Sequence, residues 1–418
     1  MLLFILGLVL FVGLVVVHEF GHFIMAKRNG VEVEEFGIGF PPRLYKKKTK
    51  GGWLFTINLL PLGGFVKLKG EHDTDTAPGT FGAASLLAKS KIMIAGVVMN
   101  LITAFVLLTI LAAIGIPKLI DNQFTVKSDT KVTQTQIIIP VVEKGSPAAK
   151  AGIQQADHLL AAITGQQPCN YHSLKPADAK SANDAIDLIC PVDFDMFPAD
   201  TRLNGSKDLT KFTHAHAGQT VTFLVSRDGK QYAAQATLRS AKEVAASQNT
   251  NNPKGYLGVG PTDFVVQRST WSSPVVAAGL IGQFTKLTYQ GIGSALAGVG
   301  KIIAGAATGN SPARENGQKQ ASDKVSGPLG IFVILKDGSA LGFHFVLMII
   351  AVISLTLAIM NVLPIPALDG GRLWLMLITR AIKKPLSQDK EELINAGGFI
   401  FLLLLIVLIT IVDIRRFF

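Results

Sequence analysis

Long apolar runs alternate with polar stretches along this chain, and the runs set its plan. Residues 1–17, 92–116 and 396–412 carry no charge, and residues 343–368 hold only His344 before Asp369. A bilayer core takes roughly 20 apolar residues as a helix. Four membrane spans are therefore expected near residues 1–26, 92–115, 343–363 and 396–414. A cleaved signal peptide is the alternative for the first, but that segment lacks a basic n-region and an A-x-A site. Residues 275–305 are also apolar, yet Lys286 and Lys301 interrupt them and leave only 14 uncharged residues between. That pattern predicts an amphipathic helix lying on the outer surface rather than a span. Residues 309–324 read as a polar, mobile linker.

Between the runs the periodicity changes. Residues 31–38, 53–59 and 65–68 are rich in β-branched and aromatic residues, with Gly51-Gly52 and Pro61-Leu62-Gly63-Gly64 between them, which predicts a small set of strands joined by tight turns. From about residue 135 to 261 a globular α+β region is expected. Strands are read at 136–142, 159–163 and 221–225, with a short helix opened by Ser146-Pro147 and ended by Gly152, and a hairpin turn at Arg227-Asp228-Gly229-Lys230. Residues 165–217 are polar and irregular and give no assignment. The fold class that follows is an α-helical polytopic membrane protein with four transmembrane helices, a small membrane-associated β region and an extracytoplasmic α+β domain. Its divisions are a first span at 1–26, a loop with the β region at 27–91, a second span at 92–116, the external domain at 117–270, an amphipathic helix and linker at 271–342, a third span at 343–371, a loop at 372–395 and a fourth span at 396–418.

Charge sharpens this picture. A net charge of +11 over 418 residues would suit a nucleic-acid partner, but its distribution points to a membrane. Residues 27–91 hold eleven Lys/Arg against six Asp/Glu, in a loop short enough for the positive-inside rule. That loop is placed in the cytoplasm, together with Arg372, Arg380, Lys383, Lys384 and Lys390. Both termini and residues 117–342 then lie outside, leaving Arg415 and Arg416 against the rule in a short tail. Lys46-Lys47-Lys48 reads as a solvated face toward anionic lipid. Cys169 and Cys190 fall in the external segment, where a disulfide and two free thiols stay equally open.

The chemistry begins at His18-Glu19-Phe20-Gly21-His22. Residues i and i+4 share a helix face, so both imidazoles can reach one metal ion with Glu19 beside them. Zinc with an open position lowers the pKa of a bound water to about 7, and a neighbouring carboxylate can take its proton. Three ionisable groups near the end of a membrane span are costly unless they pair or bind something, which disfavours an accidental placement. Asp369, in Asn361-Val362-Leu363-Pro364-Ile365-Pro366-Ala367-Leu368-Asp369-Gly370-Gly371, is the candidate third ligand. His18 lies roughly 25 Å into an inward-running span at 1.5 Å per residue, and Asp369 lies near the cytoplasmic end of another. Pro364 and Pro366 break that helix, which is tolerated at depth only when the backbone is buried in protein or lines a wet cavity. A true span at 275–305 would put the two half-sites at opposite leaflets.

With these residues the chain resembles the bacterial site-2 proteases, of the kind that includes the regulator-of-sigma-E protease. The resemblance rests on His18–His22, Phe36-Gly37-Ile38-Gly39, Pro61-Leu62-Gly63-Gly64-Phe65-Val66-Lys67, the Ser146–Gly152 and Asp157 pattern of a PDZ domain, Gly327-Pro328-Leu329-Gly330-Ile331 and Asn361–Gly371. It implies an intramembrane zinc endopeptidase of the bacterial inner membrane with its active site toward the cytoplasm. His18, His22 and Asp369 would hold Zn2+, Glu19 would be the general base, and Asn361 would position the substrate backbone or, alternatively, hold the broken helix together. Residues 31–69 would form a sheet offering an edge to an unwound substrate. Substrates would be single-span membrane proteins such as anti-sigma factors, or remnant signal peptides, met in membrane lipid and not on nucleic acid. One PDZ-like unit is visible, and Gly255-Tyr256-Leu257-Gly258-Val259 resembles a carboxylate-binding loop or is a plain terminal strand. His214 and His216 read as a surface loop. An inactive membrane PDZ scaffold and a metal transporter are the competing functions. The first expects a damaged motif and the second more ligands within the spans.

Overall fold

The computed structural model describes residues 2–70, 75–164, 198–227, 230–248, 250, 253–322, 327–383 and 387–417. Cys169 and Cys190 lie outside the described residues. The chain divides into two compact units. One comprises residues 1–116, 122–129 and 269–418, and the other residues 117–121 and 130–268.

The first unit is built on helices. α1 (Leu2–Arg28) and α2 (Leu86–Ile114) are 27 and 29 residues long, about 40 Å each at the helical rise. Lys27 and Arg28 close α1, where cations suit the negative end of the helix dipole. The side chain of Ser85 accepts from the Ala88 amide and caps α2, so this helix starts six residues before its uncharged run. α6 (Ser273–Thr308) is 36 residues long, the shorter α8 (Pro328–Ala340) precedes α9 (Phe343–Val362), and α9 and α11 (Gln388–Phe417) complete the long helices. Among the described residues five helices are long and apolar enough to cross a membrane, and α6 is one of them despite its two lysines.

Two expectations are corrected here. Of the expected linker 309–324, the described residues 309–322 are not loose: Gly309 takes a left-handed conformation at the end of α6, and α7 (Ser311–Ser322) folds back against it. Glycines allow the contact, since a Cβ on Gly317 would meet the Gly298 carbonyl oxygen at 2.7 Å. The polar composition of α7 hid a helix that packs by backbone approach rather than by an apolar stripe. The three short strands expected between residues 31 and 68 are two long bent ones, β1 (Val33–Lys48) and β2 (Leu54–Leu68). Ile38 pairs with Gly64 and Val33 with Leu68, Lys48 pairs with Leu54, and residues 54–57 pair again with 35–38. The layer order is thus 43–48, 54–58, 33–38, 64–68, which leaves residues 64–68 at an edge. Phe36 and Phe55 stack with their centroids 6.4 Å apart, while Phe23 of α1 meets Phe36 at 5.5 Å and Trp53 at 4.8 Å, edge to face, which fastens the sheet to α1.

The second unit is a sheet of order β3-β8-β4-β5-β6-β7, made of β3 (Ile116–Pro117), β4 (Lys131–Val142), β5 (His158–Thr164), β6 (Thr220–Arg227), β7 (Lys230–Thr237) and β8 (Val259–Arg268). Its helices are α3 (Pro147–Lys150), α4 (Ser206–Ala215) and α5 (Ala241–Ser247). Ile137, Ile139, Leu159, Phe223 and Val225 form its core. Asp157 is wholly buried and is satisfied by two guanidinium nitrogens of Arg227 and by the Tyr232 hydroxyl. Burial, then this carboxylate, push the Tyr232 phenol far above its usual range.

Candidate active site

Why Asp369 meets the histidines is a matter of chain geometry. α9 stops at Val362 because Pro364 and Pro366 follow. The chain then reverses through Ala367, whose φ is +73°, and α10 (Asp369–Ala381) begins on the aspartate. The reversal needs Gly370 and Gly371. A Cβ on Gly371 would overlap the Ile365 carbonyl and reach the Pro366 nitrogen at 2.8 Å. Asp369 is thereby held at the N-terminal end of a helix, where its negative charge is favoured.

His18 and His22 sit one turn apart on α1 and face α2 and Asp369 together. Asp369 Oδ2 lies 2.9 Å from His18 Nε2 and 3.2 Å from His22 Nε2, and the two Nε2 atoms are 3.2 Å apart. One ligand atom from each residue falls within 4.8 Å of the other two, an arrangement able to hold a metal ion, and no other such cluster occurs among the described residues. Two imidazole nitrogens and one carboxylate oxygen are a donor set that zinc accepts, with its fourth position left for water or substrate. The ring of His22 is oriented for this: Nδ1 lies 2.8 Å from the carbonyl oxygen of Ile92, which can only accept, so Nδ1 carries the proton and Nε2 presents its lone pair. The residues present fit zinc.

Glu19 leaves α1 beside these rings and lies against the edge of β2. A Cβ on Gly64 would meet Glu19 Cγ at 3.3 Å, and the Val66 amide bonds to the Glu19 carboxylate. Asn361 occupies the last turn of α9, and its Nδ2 donates to the Leu357 carbonyl at 3.1 Å. That is the local bond that steadies the end of a broken helix. His214 and His216, expected in a surface loop, instead stand at the end of α4, where they contact the rings of Tyr256 and Phe212 with centroids 5.5 and 4.7 Å away.

Three contributors from α2 escaped sequence reasoning. Ile92, Gly96 and Asn100, four residues apart, line the back of the histidines. Ile92 supplies the carbonyl above. A Cβ on Gly96 would sit 2.6 Å from His18 Cε1 and 2.7 Å from His18 Nε2. The Asn100 amide, 1% exposed, lies 3.2 Å from His18 Nδ1. The available signal was an amide within an uncharged span, preceded by glycine at the spacing that shares a helix face.

Comparison with known proteins places the chain in a family. The model of peptidase family M50 matches residues 6–405. The zinc metalloprotease RasP of Geobacillus kaustophilus is 27% identical over 444 residues, covering 98% of this chain and 97% of its own. A Clostridium perfringens protein named, provisionally, a zinc metalloprotease is 28% identical over 410 residues and 98% of both chains. The Enterococcus faecalis protease Eep, also a provisional name, is 27% identical over 492 residues and 97% of both.

Proposed function

The chain belongs to peptidase family M50, the site-2 proteases, and from that premise we propose that this zinc metalloendopeptidase cleaves membrane-anchored substrates within or at the edge of the bilayer. His18, His22 and Asp369 hold the zinc and Glu19 is the general base. One observation carries this reading. Two residues on one long apolar helix and a third from 351 positions away bring their ligand atoms together beside a carboxylate. An inactive scaffold would need that constellation broken, and a transporter would need more ligands than these.

When bound, zinc supplies Lewis-acid polarisation of a carbonyl oxygen and acidification of water. The protein's own groups do the rest. Glu19 takes a proton from the attacking water and returns it to the leaving amine nitrogen. A transmembrane helix has its carbonyls occupied by its own hydrogen bonds, so a segment must unwind before it can be cut. Residues 64–68 form the outermost strand segment of this sheet next to Glu19, suited to strand addition. Asn361 lies in the last turn of α9, before the reversal that leads to Asp369, and serves to steady that end, with substrate positioning as a further duty.

The same convergence supports four crossings. His18 and His22 lie toward the C-terminal end of α1, and Asp369 lies just past the C-terminal end of α9. If both helices span, they run in the same direction, so an odd number of crossings separates them. α2 provides one. α6, with α7 folded back on it, then stays on the outer side, the active site faces the cytoplasm, and both termini lie outside an inner membrane. The second unit acts as a PDZ-like domain outside. Ser146 caps its short α3, and Gly258, at φ +77°, shapes the turn into β8 that would receive a chain end. Its duty is to gate the entry of substrates such as anti-sigma factors or remnant signal peptides, by size exclusion or by reading a newly exposed C-terminus.

The test is co-expression of the full chain with a tagged single-span substrate, beside Glu19→Gln. Cleavage is expected in the parent and absent in the variant. Undiminished cleavage by Glu19→Gln would remove the proposed base.

A further inference from the structure

We propose that Asn100 is a positioning residue for His18, turning its amide so that Oδ1 accepts a hydrogen bond from His18 Nδ1 and holds the ring in the tautomer that presents Nε2 to the metal. This rests on the metal-centre reading above. A neutral imidazole has one N–H and one lone pair, so a ring that offers Nε2 as a ligand must carry its proton on Nδ1 and needs an acceptor there. His22 has the Ile92 carbonyl. His18 directs Nε2 at Asp369 and at the Nε2 of His22, 2.9 and 3.2 Å away, and the group facing its Nδ1 is the Asn100 amide.

The amide stands with Nδ2 toward the ring, whereas its Oδ1 is buried without a hydrogen-bond partner. The two ends of an amide have nearly the same shape, so a half-turn of the terminal group exchanges them in place. Nδ2 can serve only a His18 whose Nδ1 is deprotonated, which is the tautomer unable to offer an Nε2 lone pair. Oδ1 serves the ligating tautomer and gives the orphaned acceptor its partner. The rest of Asn100 is fixed, since its backbone carbonyl accepts from Ser354 Oγ at 2.8 Å, which ties α2 to α9 at this level. Only the amide has freedom, and it is the freedom this role uses.

The experiment compares Asn100→Asp, which accepts but cannot donate, with Asn100→Leu, of similar volume without polar atoms, in the full-length protein purified in detergent. Zinc affinity is measured by competition with a chelator, and the visible spectrum is recorded after cobalt replaces zinc. We expect Asn100→Leu to bind zinc about 10- to 100-fold more weakly with an altered cobalt spectrum, and Asn100→Asp to keep parental affinity and spectrum. If Asn100→Leu does not fold, Asn100→Ser, too short to reach the ring, takes its place. Parental affinity in Asn100→Leu or Asn100→Ser, or equal losses in these and Asn100→Asp, would overturn the role. His22→Ala is the control for the centre itself. If it binds zinc as the parent does, the metal site is misplaced and the fault lies there, not with Asn100.

Discussion

Gly96 of α2 stands directly behind His18: a side chain there would place its first carbon 2.7 Å from the Nε2 atom that faces Asp369. It would also overlap His22 Nε2. Helix α2 can approach the imidazoles this closely because it presents no Cβ at that point.

Gly96→Ala should therefore strike the metal centre while sparing the fold at large. The added methyl forces the rings apart, and a displacement of about 1 Å at a catalytic group costs on the order of 100-fold in rate. We expect cleavage of the test substrate to fall by at least that factor, with zinc content reduced and the protein still extracted as a monodisperse species. Normal zinc content and cleavage would show that α2 does not back the histidines this tightly.

The reversal before Asp369 gives a second expectation. Gly371→Ala has no room between α10 and the Ile365 carbonyl, so the loop must open and carry Asp369 away. Zinc should be lost in this variant as in one lacking the aspartate itself. Metal analysis of the purified protein checks it, and retained zinc would mean that the turn can relax without moving Asp369.

Elsewhere in the first unit, Asp129 ties down the start of α6. Its carboxylate accepts from the hydroxyls and amides of Thr270 and Ser272, and the hydroxyls, Ser272 first, hold its pKa well below the usual carboxylate range. A carboxyl depressed on folding stabilises the folded form fully above its unfolded pKa of about 4, and that contribution fades as pH falls toward the folded value. Asp129→Asn should loosen the segment at neutral pH. The difference from the parent in protease sensitivity around residues 269–273 should shrink as the pH is taken below about 4. A difference that grows with acidity would contradict the assignment.

The residues of the candidate metal centre could be read from the sequence because their signals are local. A four-residue spacing and polar groups at the end of an apolar run single out His18, Glu19 and His22, and a proline-broken helix marks Asp369. What surrounds them could not, because it depends on which face of α2 turns inward. In a helix apolar on all sides, as α2 is across its span, periodicity does not reveal that face. Ile92 acts through its carbonyl, which no side-chain pattern can announce, and Gly96 acts through the absence of one. Helix α7 failed for a related reason: Gly317 contacts backbone, so there was no apolar stripe to read. The long bent strands β1 and β2 carry turn-forming Pro41-Pro42 and Gly63-Gly64 within them, and the pairing continues past these.

Zinc per chain in purified parent and Asp369→Ala protein, measured side by side, bears most directly on whether α1 and α10 share one metal ion. We expect close to one equivalent in the parent and a large loss in the variant at the same free zinc. Equal occupancy in the two would mean that Asp369 does not hold the ion, and the shared centre would have to be abandoned.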